Sequence, residues 1–407
     1  MLTVNKSSRL DNVRYDIRGR LSVEAEEMQA QGVEIIKLNT GNPAAFGFPP
    51  PPFIPRLLEE NLPLAGAYSA SKGLGAAREA VAAYCKSKRI PGVAPDDVYL
   101  GNGVSELILI SLQALLEPGD EVLIPAPDYP LWTAAVNMCG GRAVHYLCDE
   151  QNGWQPDPGD MRGKLTKRTK AVVVINPNNP TGAVYPEATL KEIVKIAESR
   201  GLLIFSDEIY DRLLMDGETH VSTAECAGDY PTVTFNGLSK SHNMSGFRCG
   251  WMCLGGNKSG MKGYRDGLLT LASMRLCSNV PSQAIIGPAL DDIHYADDTL
   301  VPGGRLYEQR ECAYEAVNSI PGLSVVKPRA AMYMFPRMDL KTLRIHDDEK
   351  FALDFLREKH VLLTHGRSFN WGAPDHFRLV YLPEKKVLED VLERLRDFLS
   401  SYCQAEE

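Results

Sequence analysis

The stretch Ala171-Val-Val-Val-Ile-Asn-Pro-Asn-Asn-Pro-Thr-Gly182 opens with five consecutive apolar residues and then turns abruptly polar. A strand with one wet face alternates apolar and polar side chains. One that is apolar at every position is covered on both faces, as in a parallel sheet packed between helix layers. Leu202-Leu-Ile-Phe205 repeats the pattern. Shorter apolar runs at 97–100, 121–124, 143–147 and 232–235, with helical patterns at 105–116 and 190–199 between them, extend it in both directions. The expected architecture is α/β, with a mostly parallel central sheet between helix layers.

Beyond residue 300 the rhythm changes. Helical patterns at 305–320, 350–359 and 387–402 enclose short strands at 323–326, 332–335, 361–363 and 377–381, which reads as a smaller α+β domain. The run Pro49–Pro52 marks a stiff, extended segment. The chain thus divides into an N-terminal arm at 1–48, a large domain at 49–300 and a small domain at 301–407.

The 407 residues carry 44 Lys and Arg against 52 Asp and Glu, a formal charge of −8. Nucleic-acid binding rests on clustered cations, so that class of partner is not expected. No apolar run reaches the ~18 residues of a membrane span, and the polar start lacks the apolar centre of a secretory signal. Nine cysteines, an odd number without repeated spacing, read as cytoplasmic thiols. Only Cys249 and Cys253 lie close together, without the His and Cys companions a zinc site needs, so no metal is expected.

In open α/β sheets ligands bind beyond the carboxyl ends of the strands, and those ends are chemically loaded. Gly101-Asn-Gly-Val-Ser105 reads either as an ordinary glycine turn or as a helix start facing a phosphate. No G-x-G-x-x-G is present, so the dinucleotide fingerprint is not met. The turn at 176–182 is stiffened by two prolines and offers several amides. Asp207 follows a fully apolar strand and there needs a partner or serves as a helix cap. Lys240, after Asn236-Gly-Leu-Ser239, is either a surface lysine or an amine desolvated enough to form a Schiff base. Phosphate-type, amide, carboxylate and amine groups at four strand ends form a far less accidental set than any one of them.

Together these residues resemble the class I/II aminotransferases, fold-type I enzymes that use pyridoxal 5′-phosphate (PLP). Ser239-Lys240, then Gly246-Phe-Arg248-Cys-Gly250 with the arginine eight positions after the lysine, match the family's lysine signature. Asn179-Pro-Thr-Gly182 and Asp207-x-x-Tyr210 precede it in the expected order. Within the family, Tyr15-Asp-Ile-Arg-Gly19, Pro127-Asp-Tyr-Pro-Leu-Trp132 and the 176–182 tract are similar to the bacterial glutamate–pyruvate (alanine) type.

The resemblance implies a set of roles. Lys240 holds PLP and shuttles the Cα proton, and Asp207 pairs with the pyridinium nitrogen. Asn179 and Tyr210 bind the phenolic oxygen, and Tyr129 stacks on the ring. Arg248, Ser239 and the backbone at Val104 and Ser105 hold the phosphate, with Tyr68 reaching it from the other subunit of a homodimer. Arg378, in His376-Phe-Arg378, clamps the substrate carboxylate, where a bidentate guanidinium suits the task. Gly41 lies on the segment closing over the substrate, with Tyr15 near it. Substrates on this reading are an amino acid and a 2-oxo acid, alanine and 2-oxoglutarate first, and Arg18 or Arg367 reads the side-chain carboxylate.

Two positions and two tracts depart from the family pattern: Gly237, Ala330, the Thr364–Phe369 tract with Arg367, and Ser241-His-Asn243 after the lysine. They are expected to bear on substrate choice more than on PLP. Alternatives on the same fold are a PLP-dependent lyase or an amino-acid oxidase, because fold does not fix reaction type. A non-catalytic PLP-binding regulatory domain is the third reading.

Overall fold

The structure is a computed structural model that describes residues 2–13, 15 and 19–404. Its largest sheet has eight strands: β1 (Val98–Asn102), β2 (Glu121–Ala126), β3 (Arg142–Asp149), β4 (Gln155–Pro156), β5 (Thr169–Ile175), β6 (Leu203–Asp207), β7 (Thr232–Gly237) and β8 (Cys249–Gly255). Their order is β1-β8-β7-β6-β5-β2-β3-β4. Six run in one direction, with β8 and β4 antiparallel to their neighbours. The mostly parallel, doubly covered sheet expected from the apolar runs is the one observed.

Both faces of β5 are sealed. Val173 and Ile175 join a cluster with Trp132, Phe205 and Phe235, while Val172 and Val174 join another with Ile193, Val194 and Ala197 of the helix α3 (Glu187–Arg200). The helices α1 (Val104–Leu115) and α2 (Leu131–Met138) contribute to the first of these clusters. Strand β8 has no counterpart in the sequence reading, because glycines at 250 and 255 interrupt its apolar run. It is nevertheless buried from end to end. Strand β6 continues two residues past Phe205, since Ile175 pairs with Asp207 and Asp207 with Phe235. The carboxylate therefore sits inside the sheet rather than in the turn beyond it.

In the carboxy-terminal third, β9 (Tyr333–Met334), β10 (Thr364–His365) and β11 (Phe377–Val380) form an antiparallel sheet in the order β9-β11-β10. Helices Arg305–Asn318, Asp348–Lys359 and Lys385–Ser401 pack around it. The same core takes in Leu21 and Ala25 of the helix Arg20–Ala30, and Ile36–Lys37 pairs in parallel with Val361–Leu362. Among the described residues no helix is long and apolar enough to cross a membrane.

Candidate active site

At the carboxyl ends of β1, β5, β6 and β7 lies a cavity of about 800 Å³. It is lined by Val104, Ser105, Asn179, Asp207, Tyr210, Ser239, Lys240 and Arg248, together with Tyr129, Arg378 of β11 and Tyr15 and Gly41 from the N-terminal segment. Twelve residues singled out from the sequence thus meet in one place. Those from the large domain lie at or just beyond strand ends because a parallel sheet gathers its carboxyl ends along one edge.

Asp207 is buried, and Trp132 Nε1 donates to its Oδ2 at 3.1 Å while the Ile209 N–H reaches Oδ1 at 3.4 Å. Among the described residues no cation pairs with it. Burial pushes its carboxyl up to about 6, the Trp132 and Ile209 donors pulling the other way. A cavity-facing acid in that condition accepts a positively charged ligand atom with little competition.

Across the cavity the features suit an anion. Gly103 (φ +80°) turns the chain into α1, whose first residues, Val104 and Ser105, carry N–H groups without helical acceptors. Arg248 Nη1 and Nη2 donate to the carbonyls of Ser245 (2.8 Å) and Asn102 (3.3 Å), and no described carboxylate neutralises it. Gly237 closes this corner. A Cβ there would lie 2.6 Å from the Cys249 carbonyl oxygen, so β7 and β8 leave no space for the serine common in the family.

Between the two ends stands Lys240, on the short helix α4 (Leu238–Ser241). Its Nζ donates to the Gly41 carbonyl at 2.6 Å. Arg378 is 2% exposed. Its Nη1 donates to Asn179 Oδ1 at 3.0 Å and its Nη2 to the Asn39 carbonyl, while Nε has no partner among the described residues. The guanidinium lies between the rings of Tyr333 and Phe369, each 4.6 Å away. Burial holds it below the ordinary arginine range, and no described carboxylate pairs with it. A buried, uncompensated guanidinium is costly unless a ligand completes it. Tyr15 and Tyr129 share a hydroxyl–hydroxyl bond of 2.9 Å at the entrance.

Some expectations resolve differently. Tyr68 is 78% exposed and outside the cavity of this chain. Arg18 lies outside the described residues. Arg367 does not line the cavity, because Asp347 and Asp348 both grip its guanidinium. His242 also turns away, bonding Ser241 Oγ at 2.8 Å and the Ala289 carbonyl at 2.7 Å, and burial lowers its pKa. Neither of these two departures reaches the substrate space. Trp132, Tyr333 and Asn39 were not assigned roles from the sequence. Their partners are 75 to 339 positions distant, and no local pattern announces them.

Behind the site, Lys88 Nζ contacts Asp211, Glu208 Oε2 (3.1 Å) and His220 Nδ1 (3.2 Å), and Tyr84 donates to Asp211 at 2.5 Å. His220 Nε2 meets the Asn176 carbonyl at 3.0 Å. Glu208, Asp211 and His220 converge as metal ligands do, but the cation they surround is the Lys88 ammonium. Burial alone would lower the lysine, yet the Asp211 and Glu208 carboxylates outweigh it and raise it. Asp211, which burial alone would raise, is held below its ordinary value chiefly by Lys88. Lys88→Met strands two buried carboxylates and is expected to cost about 3–5 kcal/mol at pH 7. Because Asp211 is depressed in the folded state, its stabilisation is present above the unfolded value and lost as pH falls through the folded one. The penalty should therefore shrink below the ordinary carboxyl value of 3.8, as urea titrations at pH 7 and pH 3 would read.

Comparison with known proteins is consistent with this geometry. The family model for aminotransferase class I and II matches residues 33–395. Glutamate-pyruvate aminotransferase AlaA of Escherichia coli strain K12 is 53% identical over 404 residues, spanning 99% of this chain and 100% of that protein. An alanine aminotransferase of Mycobacterium bovis is 50% identical over 402 residues, 98% of this chain and 93% of the relative. Among solved structures, an Escherichia coli aminotransferase superposes with a TM-score of 0.97 at 53% identity, covering 99% and 100% of the two chains. An alanine aminotransferase from Pyrococcus furiosus gives a TM-score of 0.91 at 37% identity over 98% and 100%. A match that runs nearly the whole length of the sequence, on a fold that gathers the same strand-end chemistry, leaves one assignment: the chain belongs to the class I and II aminotransferases.

Proposed function

We propose that the chain transfers the amino group of an L-amino acid to a 2-oxo acid, taking alanine and 2-oxoglutarate to pyruvate and glutamate. The observation that carries the reading is Arg378, a buried guanidinium without a carboxylate partner among the described residues, in the same cavity as Lys240. The names of the relatives at 53% and 50% identity support alanine and glutamate as the pair.

Members of the family use PLP, and the cavity fits it. Among the described residues Asp207 is a buried acid short of a cation, Arg248 is a cation short of an anion beside the start of α1, and Lys240 offers an amine in the same cavity. When bound, PLP supplies an electrophilic carbon for the amine and a ring that accepts electrons from Cα. Asp207 would hold a proton on the ring nitrogen. Asn179 and Tyr210 would hydrogen-bond its phenolic oxygen, and Tyr129 would cover its face. Arg248, Ser239, Val104 and Ser105 would hold its phosphate. Arg378 fixes the substrate carboxylate with Asn179 beside it, and Gly41 and Tyr15 close the space. Lys240 Nζ, released from the Gly41 carbonyl, would take the proton from the substrate Cα and pass it on to the cofactor.

We further propose a cytoplasmic homodimer. Leu62, Leu64, Tyr68, Met274 and Leu276 are exposed apolar or aromatic side chains. Arg275, between the last two, bonds the Ser71 carbonyl at 2.8 Å, which sets Met274 and Leu276 near Tyr68. A second subunit would cover them and bring Tyr68 to its phosphate. Nine free cysteines suit a reducing compartment. The working division remains an arm at 1–48, a large domain at 49–300 and a small domain at 301–407, with 20–48 riding on the last.

The test is a half-reaction. Mixed with alanine or glutamate and no oxo acid, the PLP-loaded protein should lose its visible band once and release about one oxo acid per subunit, with dissolved oxygen constant. Spontaneous return of the colour, with oxygen uptake or accumulating ammonia, would make it an oxidase or a lyase instead.

A further inference from the structure

Tyr333, on β9, touches three parts of the site. Its ring lies 4.6 Å from the Arg378 guanidinium, completing with Phe369 the sandwich that holds this cation. Its hydroxyl is 2.9 Å from the Tyr210 hydroxyl, the two rings meeting edge to face with centroids 5.7 Å apart. The backbone of Gly41, whose carbonyl binds Lys240, passes directly over the phenol. A Cβ at 41 would sit 2.0 Å from the Tyr333 oxygen and 2.6 Å from the ring carbon bearing it. Space, not backbone conformation, requires glycine there. Position 41 is built around this one side chain.

A hydroxyl pair has two protons to place. If Tyr333 donates to the Tyr210 oxygen, the Tyr210 proton is left to point into the cavity, where it can serve an acceptor. The ring, meanwhile, fixes the plane of the guanidinium, and that plane decides whether two parallel N–H bonds to a carboxylate can form.

Resting on the amino-transfer reading above, we propose that Tyr333 is a positioning residue with two separable roles: its hydroxyl aims the Tyr210 proton at the cofactor's phenolic oxygen, and its ring aims Arg378 at the substrate carboxylate.

The two roles come apart in two variants. Tyr333→Phe keeps the ring and the β9–β11 pairing of Tyr333 with Val380, but loses the hydroxyl. In the PLP-loaded protein the pH at which the visible band titrates should rise by about half a unit or more, because a weaker donor leaves the phenolic oxygen more basic. KM for alanine and for glutamate should stay within about twofold. Tyr333→Leu removes the ring as well, and KM for both substrates should climb about tenfold or more.

A Tyr333→Phe titration that superposes on the wild type overturns the hydroxyl role. Equal KM values for the Phe and Leu variants overturn the ring role. A wild-type protein with no visible band or no amino transfer would refute the function itself, a result distinct from either.

Discussion

Lys240→Ala is expected to slow amino transfer by about five orders of magnitude or more, while the protein remains folded. Lys240 carries the sole side-chain amine among the cavity-lining residues described, so no neighbour can take its place. Two tasks vanish together: nucleophilic attachment of the cofactor and proton movement at Cα. Residues that act as a unit in this way lose nearly the whole acceleration when one is removed. The structural cost is small by comparison. Among the described residues the side chain makes one hydrogen bond, to the Gly41 carbonyl, and its loss is worth about 1 kcal/mol. Borohydride treatment of the PLP-loaded wild type should therefore fix the cofactor to the chain and add its mass, and the alanine variant should gain none. Activity within tenfold of wild type, or cofactor fixed to another lysine, would move the catalytic amine elsewhere.

How much of this could be read from the sequence follows from how local each signal is. The run Ala171–Ile175 is apolar because both its faces are covered, and that is a property of five neighbouring residues. Asp207 and Lys240 stand out because charged groups at the ends of apolar strands are unusual wherever the rest of the chain goes. The groups that complete the site are non-local. Trp132 reaches Asp207, Tyr333 reaches Tyr210 and Asn39 reaches Arg378 only after the sheet and the β9–β11 unit have come together. Arg367 illustrates the opposite error. A cation near the expected substrate mouth looked available, yet Asp348 binds it and Asp347, which binds it too, also caps the helix Asp348–Lys359. Charge can be counted from the sequence, whereas neutralisation is a matter of packing. The N-terminal segment was hidden for a similar reason: residues 20–37 are stabilised by partners more than 300 positions away in the carboxy-terminal core.

Asp207→Asn is expected to act with opposite signs on catalysis and on the stability of the cofactor-free protein. The substitution keeps the shape of the side chain and an oxygen for the Trp132 N–H, but removes the negative charge. Without that charge the ring nitrogen has no partner to hold its proton, and amino transfer should fall by about 10³-fold. Stability follows from the raised carboxyl. Its value in the folded protein is about 6 against an ordinary 3.8, burial being the main cause, followed by the opposing Trp132 and Ile209 donors. A folded-state value above the unfolded one means that the folded protein binds the extra proton between those two limits. This group's favourable contribution is therefore present below about pH 4 and lost as pH rises through 6. Above that range an ionised Asp207 costs the cofactor-free protein about 3 kcal/mol, and the asparagine does not incur it. Urea titration without PLP should find the variant as stable as wild type at pH 4 and more stable at pH 8. Adding PLP should reverse the order at pH 8, because only the carboxylate is then paired with a cation. A cofactor-free variant that is weaker at pH 8, or amino transfer within tenfold of wild type, would show that Asp207 is a structural acid already satisfied by the protein. The reversal on adding cofactor is the stronger discriminator, since a residue important only for folding would shift both titrations in the same direction.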